Sequence, residues 1–160
     1  MKFKRHLSQL AAWAKDEAEA QARLLALLNT QEDAVRRGHT LDVRASGEAL
    51  ERELPSGAER ERRRSQVIAE LARAMRVPAG TLTLSSIAER AEAAGEDVTT
   101  LRKQRDELRS NVAAVVRTGR RIAALARYHQ DVLADLMQVL SSSGMEDHAP
   151  RDGVLVDAEA

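Results

Sequence analysis

Histidines are the first residues to test for chemistry, because imidazole ligates metals and moves protons near neutral pH. The chain has His6, His39, His129 and His148. None stands at the Glu-x-x-His or His-x-x-x-His spacing that sets ligands on one helix face, so no di-iron bundle or zinc-protease helix is written here. The absence of Cys removes disulfides, thiolate zinc sites and thiol nucleophiles. There is no glycine-rich phosphate loop, and Ser141, Ser142 and Ser143 have no base beside them. No acid, base and nucleophile come together, so the expectation is a non-enzyme without cofactor or metal.

A charge pattern stands out instead. Basic and acidic side chains number 25 each, a net charge of +0, which argues against a general nucleic-acid binder. Yet the charged residues between Leu108 and Gln130 are Arg109, Arg117, Arg120, Arg121 and Arg127, all basic. Four of them, Arg117, Arg120, Arg121 and Arg127, fall near one helix face. They read either as a solvated face opposite the acids of an earlier helix or as a guide for an acidic partner. Just beyond lie Val132, Leu133, Leu136, Met137, Val139 and Leu140, too many apolar groups for one narrow seam. Left exposed they mark a binding site, with Met137 the adaptable member. The other reading has Leu7, Leu10 and Trp13 of the first helix covering them. The candidate partner-binding set is Arg117, Arg120, Arg121, Ile122, Leu125, Tyr128, His129, Val132, Leu133, Leu136, Met137 and Leu140. Within it His129 reads as a pH-sensitive contact or as a partly buried ring. Trp13, outside it, reads as a binding anchor or as packing at a bundle edge.

These residues need a long helix to position them. From Glu96 to Ser142, steps of three and four pick out Leu101, Arg105, Leu108, Val112, Val115, Gly119, Ile122, Ala126, His129, Leu133, Leu136 and Leu140. That helix spans roughly 70 Å and needs another long helix beside it. The first helix is expected over 4–37, with Leu7, Leu10, Ala14, Leu24, Leu28 and Val35 inward, Leu25 and Leu27 widening the stripe, and Glu17, Gln21 and Gln31 interrupting it. Together with Arg105, Glu17 and Gln21 read either as register-setting polar groups or as solvated ones. Gly38 stops this helix and Thr40 offers a cap for the next, 40–54, where Ser46-Gly47 allows a bend. Pro55-Ser56-Gly57 breaks or kinks the chain before a helix at 58–76. Thr83 caps a short helix at 84–94, a capping box at Ser86 to Glu89 being an alternative one step later, and Gly95 closes it before the helix at 96–142.

With 43% hydrophobic and 31% charged residues, but one each of Trp, Tyr and Phe, the core is built from Leu, Val, Ile and Ala. Residues 1–142 are expected to form one all-α domain. It is an elongated antiparallel helical bundle or coiled coil of three long helices plus a short one. Residues 143–160 are expected to be a flexible, disordered tail. In that tail Gly153-Val-Leu-Val-Asp reads as a docking motif or as incidental apolar residues. No apolar run reaches the roughly 20 residues that span a bilayer, and Met1-Lys-Phe-Lys-Arg leads into an amphipathic helix rather than a signal core. A cytoplasmic location without membrane insertion is expected.

Three stretches carry a family resemblance. The first is Leu24-Leu-Ala-Leu-Leu followed by Glu32, Val35, Gly38 and Leu41. The second is Arg64, Val67-Ile-Ala-Glu-Leu-Ala and Pro78 to Ala91, with Thr81-Leu-Thr-Leu-Ser-Ser-Ile-Ala-Glu its most specific piece. The third is the long final helix with its short polar tail. Across nearly the whole length the chain resembles the FlgN family of flagellar type III export chaperones. It departs from the family's Asn-x-x-Asn motif: Asn111 stands alone and Arg117-Thr-Gly-Arg-Arg follows. The resemblance implies a cytosolic chaperone that holds hook-associated (hook–filament junction) proteins by their terminal amphipathic helices, through its C-terminal region, and hands them to the flagellar export apparatus. The residues alone also allow a self-associating structural or regulatory coiled coil, so monomer and homodimer both stay open.

Overall fold

The computed structural model describes residues 4–146, with side chains through 142. Five α-helices and one 3-10 turn follow in order: α1 Lys4–Arg37, α2 Thr40–Glu53, α3 Pro55–Met75, the turn Ala79–Thr81, α4 Leu84–Ala93 and α5 Thr99–Glu146. Among the described residues there is no strand. The protein is an all-α helical bundle.

Helix ends are set by local hydrogen bonds. The αL turn that closes a helix appears three times, each with the two reverse bonds that satisfy the last carbonyls. At α1, Gly38 N–H donates to Val35 O and His39 N–H to Ala34 O, with Gly38 at φ +69°. At α4, Gly95 N–H donates to Glu92 O and Glu96 N–H to Ala91 O, with Gly95 at φ +80°. At α3 the left-handed position is filled by Arg76 (φ 56°), and Val77 N–H donates to Ala72 O.

Several expected boundaries move. His39, not Thr40, precedes α2, and it offers no side-chain cap bond. α2 continues unbroken through Ser46-Gly47, where Ser46 is buried with its hydroxyl on Val43 O. The helices break before Pro55, as expected, but α3 begins at Pro55 rather than 58, so Gly57 lies inside it. Leu54 is itself helical and proline's missing N–H costs nothing at a first turn. The capping box of α4 is Thr83 with Ser86, not Ser86 with Glu89: each side chain bonds the other's backbone N–H. The last helix starts at Thr99 rather than 96, because Asp97 Oδ1 accepts Thr99 N–H at 2.9 Å. It continues to Glu146 rather than 142, through the serines, as Ser141 and Ser142 bond back to Gln138 O. Of the flexible tail expected at 143–160, residues 143–146 belong to this helix, and 147–160 lie outside the described residues.

The chain divides into two compact units, 1–123 and 124–160. In the first, α1 runs antiparallel to α2 and α3: Arg23 pairs with Glu53, Glu17 with Arg60 and His6 with Glu70. It runs parallel to α5, since Asn111 Nδ2 donates to Ala18 O and Arg121 binds Glu32. The apolar core gathers at one end of this unit, from Leu7, Leu10 and Ala11 of α1, Ile68, Leu71 and Ala72 of α3, Leu82, Ile87, Ala88 and Ala91 around α4, then Val98 and Leu101. Farther along, the buried residues of α1 are alanines (Ala14, Ala18, Ala20, Ala34) and Glu32, while Leu24, Leu25, Leu27 and Leu28 are half-buried. The described part of the second unit is the end of α5.

Candidate partner-binding surface

The face α5 turns inward differs from the expected seam at every second layer. Leu101, Gln104, Leu108, Asn111, Val115, Thr118, Ile122, Leu125 and His129 are buried or half-buried, in alternating steps of three and four. Leu101, Leu108, Val115, Ile122 and His129 were read as inward. Val112 and Ala126 were expected there too, but they are exposed, and the polar Asn111 and then Leu125 take their layers. Hydrogen bonds explain the two polar layers, Asn111 and Thr118. Asn111 Nδ2 reaches Ala18 O at 2.9 Å, and the buried Thr118 hydroxyl accepts from Arg121 Nη2 at 3.0 Å. A search for apolar periodicity passes over polar side chains that are satisfied in place.

Glu32 is the centre of that polar layer and was missed as a structural residue. It is 5% exposed and held by Arg121 Nε at 3.0 Å, Arg121 Nη2 at 2.9 Å and Arg36 Nη2 at 2.7 Å. The Arg121 hydrogen bonds hold its carboxyl below the usual carboxylate range, against the opposing pull of burial. Of the five arginines, Arg121 therefore answers an acid of the first helix. Arg109, Arg117, Arg120 and Arg127 are exposed and have no ion-pair partner among the described residues. Glu17 is a second polar tie, bonded to Arg60 and to Gln21. Arg105, read with these as a seam residue, bonds Asp106 and Ser85 at the half-buried edge. Trp13 is half-buried with Arg64 over its ring at 5.8 Å and lines a cleft of about 300 Å³ between α1 and α3.

In the second unit, the candidate residues Tyr128, Val132, Leu133, Leu136, Met137 and Leu140 are exposed: Leu133 to 62%, Met137 to 68%, Leu140 to 67%. Leu125 and His129 are half-buried. Leu7 and Leu10 are committed to the core with Leu71 and Ile87, so the reading in which they cover this run does not hold. On a helical wheel Leu125, Val132, Leu136, Val139, Leu133, Leu140 and Met137 share one broad side, while Arg127, Asp131 and Asp135 lie on the other. Such a face binds helices by burying apolar side chains.

No group of His, Asp and Glu that could hold a metal ion occurs among the described residues. None of their helices is long and apolar enough to cross a membrane. No family model, curated protein or solved structure matches the chain.

Proposed function

We propose that this protein is a non-enzymatic chaperone that holds amphipathic helices of a client along the end of α5, in the manner of the FlgN-type flagellar export chaperones it resembles. The client class is then the hook-associated junction proteins, held in the cytoplasm before export and passed to the export apparatus. The observation that carries this reading is the run Val132 to Leu140, whose large apolar side chains are exposed on one broad helix face. Exposed apolar patches of this kind mark interaction sites. The unpaired Arg117, Arg120 and Arg127 precede it and favour clients with acidic flanks.

The test is to co-purify the tagged protein with a junction protein encoded by the same genome, beside the double variant Leu133→Asp, Leu136→Asp. Both positions are exposed, so the helical circular dichroism stays at the wild-type level. Client capture is expected to fall by at least ~100-fold, as for losing two central contacts of a helix-in-groove interface. Unchanged capture by the double variant, or none by the wild type, refutes the reading.

A further inference from the structure

We propose that the outer face of α5, from Arg109 to Arg120, is a docking surface for an acidic amphipathic helix of a partner protein. It lies wholly in the first unit and goes beyond the client reading, since it uses none of Val132 to Leu140. The inward side of α5 at this level is fixed by Asn111, which donates to Ala18 O, and by the buried Thr118. At about 100° per residue, Arg109, Ala113, Val116 and Arg120 stand on the side turned away from those two, with Val112 and Arg117 flanking the row. The row advances in steps of four, three and four, the spacing with which one helix presents a seam to another. Val112 is 40% and Val116 45% exposed, so the middle of the seam is apolar and uncovered. Arg109, Arg117 and Arg120 are exposed and carry no ion pair among the described residues. Other arginines of the same helix are already answered: Arg102 by Glu92, Arg105 by Asp106 and Arg121 by Glu32. Three cations left unanswered around exposed valines, in a chain of balanced total charge, make one half of a complementary interface.

The chemistry of the occupant follows from that order. Arg109 and Arg120 are roughly 16 Å apart along the helix axis. A partner helix with acids eleven positions apart, and apolar residues at the fourth and seventh positions between them, answers both arginines and covers Val116. The steps read the same in either direction, so parallel and antiparallel partners match the charges alike. A nucleic-acid backbone would meet the arginines but leave the two valines uncovered. Membrane-surface helices carry Trp, Phe or Leu at their apolar centre, where this face has Ala113 and valines. Attraction of a client's acidic flank needs only the charge of Arg120, whereas the seam needs its place in the row.

A designed peptide tests the surface. It is an acetylated, amidated helix former with Glu eleven positions apart and Leu at the fourth and seventh between them, labelled for fluorescence anisotropy against the full-length chain. A dissociation constant on the order of 10–100 µM, weakening as salt is added, is expected for so short an interface. Arg109→Glu with Arg120→Glu should weaken binding at least ~10-fold, and Arg109→Lys with Arg120→Lys much less. Val116→Gln should weaken it ~3-fold or more, with the helical circular dichroism of every variant at the wild-type level. The double variant Leu133→Asp, Leu136→Asp should bind the peptide as the wild type does. No binding by the wild type overturns the proposal. So does equal binding of a peptide with Gln in place of both Leu, which would reduce the face to bare charge. Loss of the peptide in the Leu133, Leu136 double variant also overturns it, since the peptide would then sit on the client surface. Tighter capture of an RNA duplex, or of vesicles containing anionic lipid, weakened by the same arginine reversals, would assign the face to those ligands instead.

Discussion

Glu32 is the buried carboxylate through which acid is expected to weaken the bundle. Its carboxylate is buried against α5 and bonded by two arginines, so the folded chain holds it ionised to a lower pH than the unfolded chain does. A depressed folded value means that the unfolded state binds the extra proton first. The stabilisation is therefore complete above the ordinary value of 4.5 and is lost as pH falls through the lowered folded value. Glu61 and Asp97 are lowered in the same direction, by Arg64 and by the Thr99 N–H, but Glu61 sits in an exposed, solvent-screened pair. Urea unfolding measured from pH 7 to pH 3 should show stability falling on the acid side. Glu32→Gln, with the same shape and no charge, should flatten that limb and lower the neutral-pH plateau. Superimposable acid limbs would place the acid sensitivity elsewhere.

Among the elements, the end of α3 differs from its two counterparts. Gly38 and Gly95 fill the left-handed closing position of α1 and α4, whereas α3 uses Arg76 at φ 56° and ψ 44°. An L side chain there costs roughly 1 kcal/mol that glycine avoids, less a few tenths returned through the freer unfolded chain. Arg76→Gly is expected to stabilise by about 0.5–1 kcal/mol and raise Tm by ~2–3 °C, and Arg76→Val to lower it, in a thermal melt. A lower Tm for the glycine variant would show that the Arg76 side chain contributes more than its backbone costs. The two glycine stops were legible in the sequence because Gly38 and Gly95 each follow a run of helix formers. The arginine stop carried no such signal, and only Pro78 beyond it announced an ending. Asn111 and Thr118 were illegible for a different reason. Their inward positions depend on acceptors and donors contributed by Ala18 and Arg121, far away in sequence for Ala18, and one helix's periodicity contains no record of them. Leu133, Leu136 and Met137 were legible because an apolar excess at the end of a helix needs no knowledge of the partner helices.

At the scale of the whole molecule, the buried side chains and the proposed binding surface are different residues. The large buried side chains, Leu10, Leu71, Ile87 and Leu101, join α1, α3, α4 and the start of α5. Beyond Leu101, α5 contributes polar ties and half-buried side chains to the first unit, and the last of those ties is Arg121. The described residues of the second unit add an apolar surface and bury no large side chain of their own. Ending the chain after Gln130 therefore removes Val132 to Leu140 and keeps more than two helical turns beyond Arg121. Because every described side chain it removes is exposed, the free-energy change should be that of a surface substitution, within ~0.5 kcal/mol, and Tm should stay within about 2 °C of the full chain. Client capture should disappear. A thermal melt and a co-purification with the junction protein measure stability and capture separately. A Tm drop of more than ~5 °C would mean that the end of α5 helps to hold the bundle closed, and its apolar side chains would then have to be assigned to folding as well as to binding.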